Sequence, residues 1–242
     1  MNYSHHSGGS GSAMASARDN EALRCIVPGC GERRKGVRKL CAAHGNLHDK
    51  HGHWKARAVS PKEWACERNE VTTLLAINPD HPGLLNALDF IRSFLQTRTG
   101  RDTIDREMKV LRAAELTPLA LLTELAAAYV WTNRNPAKFP DQRATDFVLS
   151  AAVLGLVPRP RRLTPDDRAY SDNGFPVPPT PASRKFIGKT LRESLSVMLA
   201  SITVAVQAHA AAVIERSNEV YMAARAPLKL PDMGYQIISP AA

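Results

Sequence analysis

Cysteine is scarce in this sequence, four in 242 residues, and three of the four fall within one stretch of twenty. Such crowding excludes the evenly spread framework of a small secreted disulfide protein. No basic and then apolar leader precedes it, so a reducing cytoplasm is the expected compartment. Strand-length alternation of apolar and polar residues is also missing, which argues against a sheet-dominated fold. There is no glycine-rich phosphate loop and no dinucleotide fingerprint, so the familiar nucleotide-binding frameworks are excluded. Acidic residues are outnumbered, 23 against 32 Lys and Arg, which leaves a formal charge of +9 and a pI near 9.7. That balance favours a polyanionic partner, because clustered cations gain affinity by releasing counterions from phosphate.

What is present is enough apolar material, 44% of residues, to build a globular core. Residues 1–18 open with paired histidines and a Gly/Ser stretch and read as a disordered leader or tag. The expected organisation continues with a zinc finger over 19–58 and a helical domain over 59–157. A Pro-rich basic linker or arm at 158–183, a long helix over 184–226 and a tail at 227–242 complete it.

The densest chemistry lies in CIVPGCGERRKGVRKLCAAH, with the spacing C-x4-C-x10-C-x2-H formed by Cys25, Cys30, Cys41 and His44. A tetrahedral structural zinc site takes four such donors as two close pairs on tight turns, and Pro28-Gly29 supplies the first turn. Cys41 and His44 stand at i and i+3, where the first turn of a helix would present both to one metal. His48, His51 and His53 follow closely as alternative ligands to His44. Cys66 stands apart and reads as an ordinary buried thiol.

Between the ligand pairs, GERRKGVRK carries five basic residues: Arg33, Arg34, Lys35, Arg38 and Lys39. Gly31 and Gly36 leave this loop flexible, while a metal would fix both its ends and present the charges on one small knob. Phosphate is the natural partner of that knob, and DNA the expected ligand.

The run CIVPGC, the basic interval, LCAAH and the following LHDKHG together resemble the small zinc finger of phage HNH endonucleases and of mobile-element tyrosine recombinases. The resemblance implies that Cys25, Cys30, Cys41 and His44 are the ligands and that the module works on DNA. It covers roughly thirty residues and departs from the pattern at Lys39, Gly45 and His48, where glycine, an aromatic and tryptophan are usual. Trp54 and Trp64, slightly further on, are candidates to pack the finger.

Neither family's catalytic machinery is carried. A recombinase needs a nucleophilic tyrosine supported by Arg, Lys and a His-x-x-Arg element, and His-x-x-Arg occurs nowhere in the chain. Asp80-His81-Pro82 superficially matches the opening of an HNH motif, yet a helical pattern follows it and no second histidine lies near. The competing reading of NPDHPG is a turn leading into a helix.

From Pro61 onward the apolar period is helical. Leu84, Leu85, Leu88, Ile91, Phe94 and Leu95 predict one helix; Ile104, Met108 and Leu111 predict another, capped by Asp102 or Thr103. Thr117-Pro118 opens a third, LALLTELAAAYVW, too apolar to read base edges and therefore core. A fourth is expected over Gln142–Leu156, and the short connections favour an antiparallel bundle. In the arm, Arg159, Arg161 and Arg162 form a second basic group for nucleic acid, with Arg184, Lys185 and Lys189 at its far end.

Between Leu195 and Ile214 run twenty residues without formal charge, long enough to cross a bilayer. Ser196, Ser201, Thr203, Gln207 and His209 interrupt the run and no aromatic belt flanks it, so a buried helix is preferred. Leu191, Leu195, Met198, Ile202, Ala205 and Val213 form a seam suited to a second copy or a protein partner. The expectation is a mainly α protein, an N-terminal zinc finger followed by a helical bundle with a long C-terminal helix. Its expected role is accessory DNA binding for a phage or mobile element in recombination or integration. The alternatives are an adaptor whose zinc is purely structural and, third, an HNH-like nuclease.

Overall fold

The computed structural model describes residues 17–157 and 178–225, and among them no strand forms. The protein is mainly α-helical, with a small Cys/His-rich unit ahead of a helical body. The tail at 227–242 and most of the arm, including Arg159, Arg161 and Arg162, lie outside the described residues.

The N-terminal unit begins with a helical turn at 17–21. It ends in helix α1 (Ala42–His51), closed by Gly52 in the left-handed conformation at φ 84°. A 3₁₀ turn, Pro61–Trp64, then leads into the body; Ser60 and Glu63 form a reciprocal capping box with Pro61 as the first helical residue. The helices that follow are α2 (Ala65–Ala76), α3 (Pro82–Leu95), α4 (Asp102–Ala113), α5 (Pro118–Arg134) and α6 (Gln142–Gly155). Beyond the arm come α7 (Pro181–Ser194) and α8 (Ser196–Arg225).

Helix α5 is the centre of the body. Its N-cap Thr117 accepts from the Ala120 amide at 3.2 Å, and Leu121, Leu122, Leu125, Ala126, Ala127, Ala128 and Val130 are fully buried. A helix apolar on most sides must be wrapped, and α2, α3, α6 and α8 all pack on it. Burying each leucine there contributes about 1.5–3 kcal/mol. The expectation that this segment is core and not a recognition helix therefore holds.

Several local expectations are corrected. Helix α4 is capped by neither Asp102 nor Thr103: Arg101 holds the N-cap position, and the Asp105 carboxylate accepts from the Thr99 and Gly100 amides at 2.7 and 2.9 Å. One turn into the helix, Asp105 can reach back to amides that the shorter reach of a cap residue leaves open. The chain turns by 119° between α4 and α5, well short of antiparallel, through Ala114, Glu115 and Leu116. Helix α7 starts at Pro181 and not at 184, because Thr180 accepts from the Ser183 amide at 3.1 Å and caps it.

The single helix expected over 184–226 is two, bent by 73° at Leu195. Serines at 194 and 196 weaken the helix there, while Leu195 is anchored in the core and makes the corner. Of the expected self-association seam, Leu191, Leu195 and Ile202 are buried against their own chain, as are the neighbouring Leu199 and Val206, while Met198 and Ala205 are half-buried. The side chain of Val213 is outside the described set. Among the described residues no single helix is long and apolar enough to cross a membrane.

Candidate metal centre

The donor atoms of Cys25, Cys30, Cys41 and His44 lie within 4.8 Å of one another, close enough to hold a metal ion. Among the described residues this is the one such group of cysteine, histidine and carboxylate donors. His44 Nδ1 is 3.5 Å from Cys25 Sγ and 3.3 Å from Cys41 Sγ, and Cys30 Sγ is 3.9 Å from Cys41 Sγ. With metal–sulfur bonds of about 2.3 Å and metal–nitrogen bonds of about 2.0 Å, tetrahedral edges come to about 3.8 Å for S···S and about 3.5 Å for S···N. The observed separations are of that size.

Local backbone explains the convergence. Gly29 adopts φ 79° and Cys30 N–H donates to the Val27 carbonyl at 3.1 Å, closing the turn expected at Pro28-Gly29. Cys41 is the N-cap of α1, and His44 sits one turn in on the same face. A thiolate at a helix N-terminus faces the positive end of the helix dipole. Burial pushes the Cys25 thiol up, but hydrogen bonds with the Val27 and Cys41 backbone, with His44 and with the Cys41 thiol outweigh it and hold it at about 6. The Cys30 thiol is pulled down by the Glu32 backbone yet ends above its ordinary value, through burial and the neighbouring Cys41 and Cys25. Three sulfurs so close repel as thiolates, and a shared cation removes that repulsion.

The unit has its own small core of Cys25, Val27, Leu40 and Cys41, with Cys30 and Trp54 packed on it. Trp54 meets the His44 ring edge-on at 5.8 Å and so covers the ligand cluster. Trp64, the other candidate, is instead fully buried in the helical body and donates to Glu124 Oε1 at 2.7 Å. Cys66 is exposed, contrary to expectation: on α2 the inward positions are Glu67, Val71 and Leu75, and one residue's rotation carries Cys66 outward.

His48, His51 and His53 stay out of the donor cluster. His48 lies 3.7 Å from Asp49, and His53 Nδ1 accepts from the Lys55 amide at 3.1 Å. His48 and His51 face the body instead. Gly52 is pressed so closely onto α6 that a Cβ there would lie 2.7 Å from the Arg143 carbonyl and 3.0 Å from the Phe147 ring. Arg184 of α7 donates to the Lys50 carbonyl at 2.9 Å.

The basic loop is less flexible than its glycines imply. Asn20 donates to the Gly36 and Arg38 carbonyls, both at 2.6 Å, and the Glu21 carboxylate accepts from the Gly36 amide at 2.8 Å. Arg34 is occupied with the Arg24 carbonyl at 2.9 Å and Asn20 Oδ1 at 3.1 Å, and Arg38 pairs with Asp49 at 2.5 Å. Arg33, Lys35 and Lys39 are exposed and have no ion-pair partner among the described residues. Of the far group, Arg184 is committed to Lys50, and Lys189 approaches Glu193 at 3.8 Å.

His81 is the N-cap of α3, its Nδ1 accepting from the Gly83 amide at 3.1 Å, with Pro82 as the first helical residue. That is the turn-and-helix arrangement, and among the described residues His81 belongs to no group of three or more donors that could hold a metal ion. Sequence reading overlooked Arg24, which stands across an isolated antiparallel bridge from Arg33, and Lys55, whose ammonium lies 5.0 Å over Trp54. Only the basic side chains themselves could have signalled them. No protein-family model matches the chain, and no curated protein or solved structure matches it either.

Proposed function

We propose that Cys25, Cys30, Cys41 and His44 hold a structural zinc ion and that the unit they close is a DNA-binding finger. By its resemblance, the chain would serve a phage or other mobile element as an accessory or regulatory factor. The observation that carries this reading is the pre-formed donor set at both ends of a loop whose Arg33, Lys35 and Lys39 point to solvent uncommitted. Three sulfurs and one imidazole suit zinc in a closed site, with no ligand position left open for catalysis. The cations would grip phosphate, which makes binding electrostatic and salt-dependent.

The test is elemental analysis of the purified protein together with DNA binding at two salt concentrations. One zinc per chain, and a salt slope that flattens in the Arg33→Ala, Lys35→Ala, Lys39→Ala triple variant, are expected. Absence of zinc, or a slope that the triple variant leaves unchanged, refutes the reading.

A second reading, an adaptor with purely structural zinc, is favoured by Val197 and Val204. Both are strongly exposed and two turns apart on one face of α8. It predicts no DNA binding and a partner lost on Val204→Asp.

A further inference from the structure

Two arginines directly opposite each other on a backbone bridge are an unfavourable arrangement, and Arg24 and Arg33 are so placed. Cross-strand neighbours hold their Cβ atoms about 4.5–5.5 Å apart on one face, where like charges repel. The backbone leaves them little freedom to part. Cys25 N–H donates to the Glu32 carbonyl at 2.9 Å, Arg34 N–H to the Leu23 carbonyl at 3.0 Å, and Arg34 Nε to the Arg24 carbonyl at 2.9 Å. Cys25, between them in sequence, is turned inward to the metal cluster, and alternation along the chain turns Arg24 outward.

Among the described residues no carboxylate pairs with either arginine. Glu21 is taken up by the Gly36 amide, Asp49 by Arg38, and Glu32 is exposed without an ion pair among the described residues. Both guanidinium groups are exposed, and neither makes a side-chain hydrogen bond or ion pair among the described residues. An anion with oxygens spaced to accept from two forks would remove the repulsion, and phosphate has that geometry.

We propose that Arg24 and Arg33 form a two-arginine phosphate clamp and that this clamp, flanked by Lys35 and Lys39, is where the finger meets the DNA backbone. The proposal rests on the DNA-binding reading for the source of the phosphate, but not for the clamp itself. It reassigns the basic loop: Arg34 and Arg38, equal in sequence to Arg33, hold the finger together, and Arg24, outside the loop, joins the contact.

Two measurements on the zinc-loaded full chain test it. The first follows the side-chain Nε–Hε NMR signals of the arginines during titration with inorganic phosphate. The second compares the salt slope of DNA binding for Arg24→Ala, Arg33→Ala and Lys109→Ala. Phosphate should shift Arg24 and Arg33 together, and either of those two variants should reduce the slope by about 0.9, with Lys109→Ala, an exposed position on α4, leaving it unchanged. DNA binding with slopes indifferent to Arg24 and Arg33 overturns the clamp while the DNA reading stands. Phosphate shifts at both arginines without any DNA binding support the clamp and remove the DNA reading.

Discussion

Gly188 of α7 lies against the carbonyl of Asp146 on α6 so closely that a Cβ at 188 would stand 1.8 Å from that oxygen. The same crossing is tied by Arg192, whose Nε reaches the largely buried Asp146 carboxylate at 2.6 Å. Burial pushes the Asp146 carboxyl above its usual range, with the Arg192 hydrogen bond opposing that rise. Substituting Gly188→Ala must move two backbones apart and should cost at least the about 1–3 kcal/mol typical of overpacking. Urea unfolding of the variant measures it, and a loss below 0.5 kcal/mol, about the error of such comparisons, would contradict the packing.

The candidate metal site makes a separate prediction. On the proposed reading, a zinc ion bound to a cluster that closes two turns would act as folding energy for the unit around it. A chelator should therefore unfold residues 19–58 while the body, whose core does not include them, stays folded. Hydrogen exchange should show protection lost within residues 19–58 alone, and Cys41→Ser should reproduce that pattern without chelator.

Glu124 is buried in the middle of α5 and satisfied three times, by Trp64 Nε1 at 2.7 Å and by Arg68 Nε and Nη2 at 2.5 and 2.8 Å. Glu124→Ala removes the acceptor for all three donors and should cost about 3–5 kcal/mol. Replacing Glu124 and Arg68 together by methionine should cost much less, because no buried charge is then stranded. Additive losses in the double-mutant cycle would show that the pair is not coupled.

At the junction of the two units, His48 and His51 both have pKa values lowered by burial first and then by a facing arginine, Arg143 and Arg184 respectively. A histidine whose folded pKa is depressed protonates more readily in the unfolded chain, so stability is intact above about 6.5 and falls as pH drops below that value. The His48→Gln, His51→Gln variant should lose less stability than the parent between pH 7.5 and 5.5. Comparison in zinc-saturated buffer isolates the histidines from loss of metal.

Glu115 is the sole non-glycine residue with positive φ among the described residues, 51° at the turn between α4 and α5. It is exposed, so its side chain gains little from that position. Glu115→Gly should stabilise the protein by about 0.5–1 kcal/mol, seen as a rise in the denaturation midpoint at unchanged slope.

The spacing of Cys25, Cys30, Cys41 and His44 and the helical period of the body were legible in the chain because each is a local pattern. Caps such as Thr117 and the turn at Pro28-Gly29 are short-range for the same reason. The fate of individual charges was not legible. Arg33 and Arg34 are neighbours of one type, yet one is free and the other is spent on Asn20 and Arg24, since one residue's step along extended backbone reverses the side chain's direction. Glu67 and Glu124, ordinary surface candidates by type, are buried because Arg134 and Arg68 from other helices reach them. The carboxylate of Glu70 also approaches Arg134, at 2.9 Å, in a charge contact without hydrogen-bond geometry.

Ligand order, helix content and net charge were thus determined by the sequence itself, through turn chemistry and the 3.6-residue period. Which cations remain available, where the long C-terminal segment bends and which face of it is covered were decided only by tertiary packing. Those outcomes depend on partners from 10 to 134 residues away in the chain, whose approach no local pattern records.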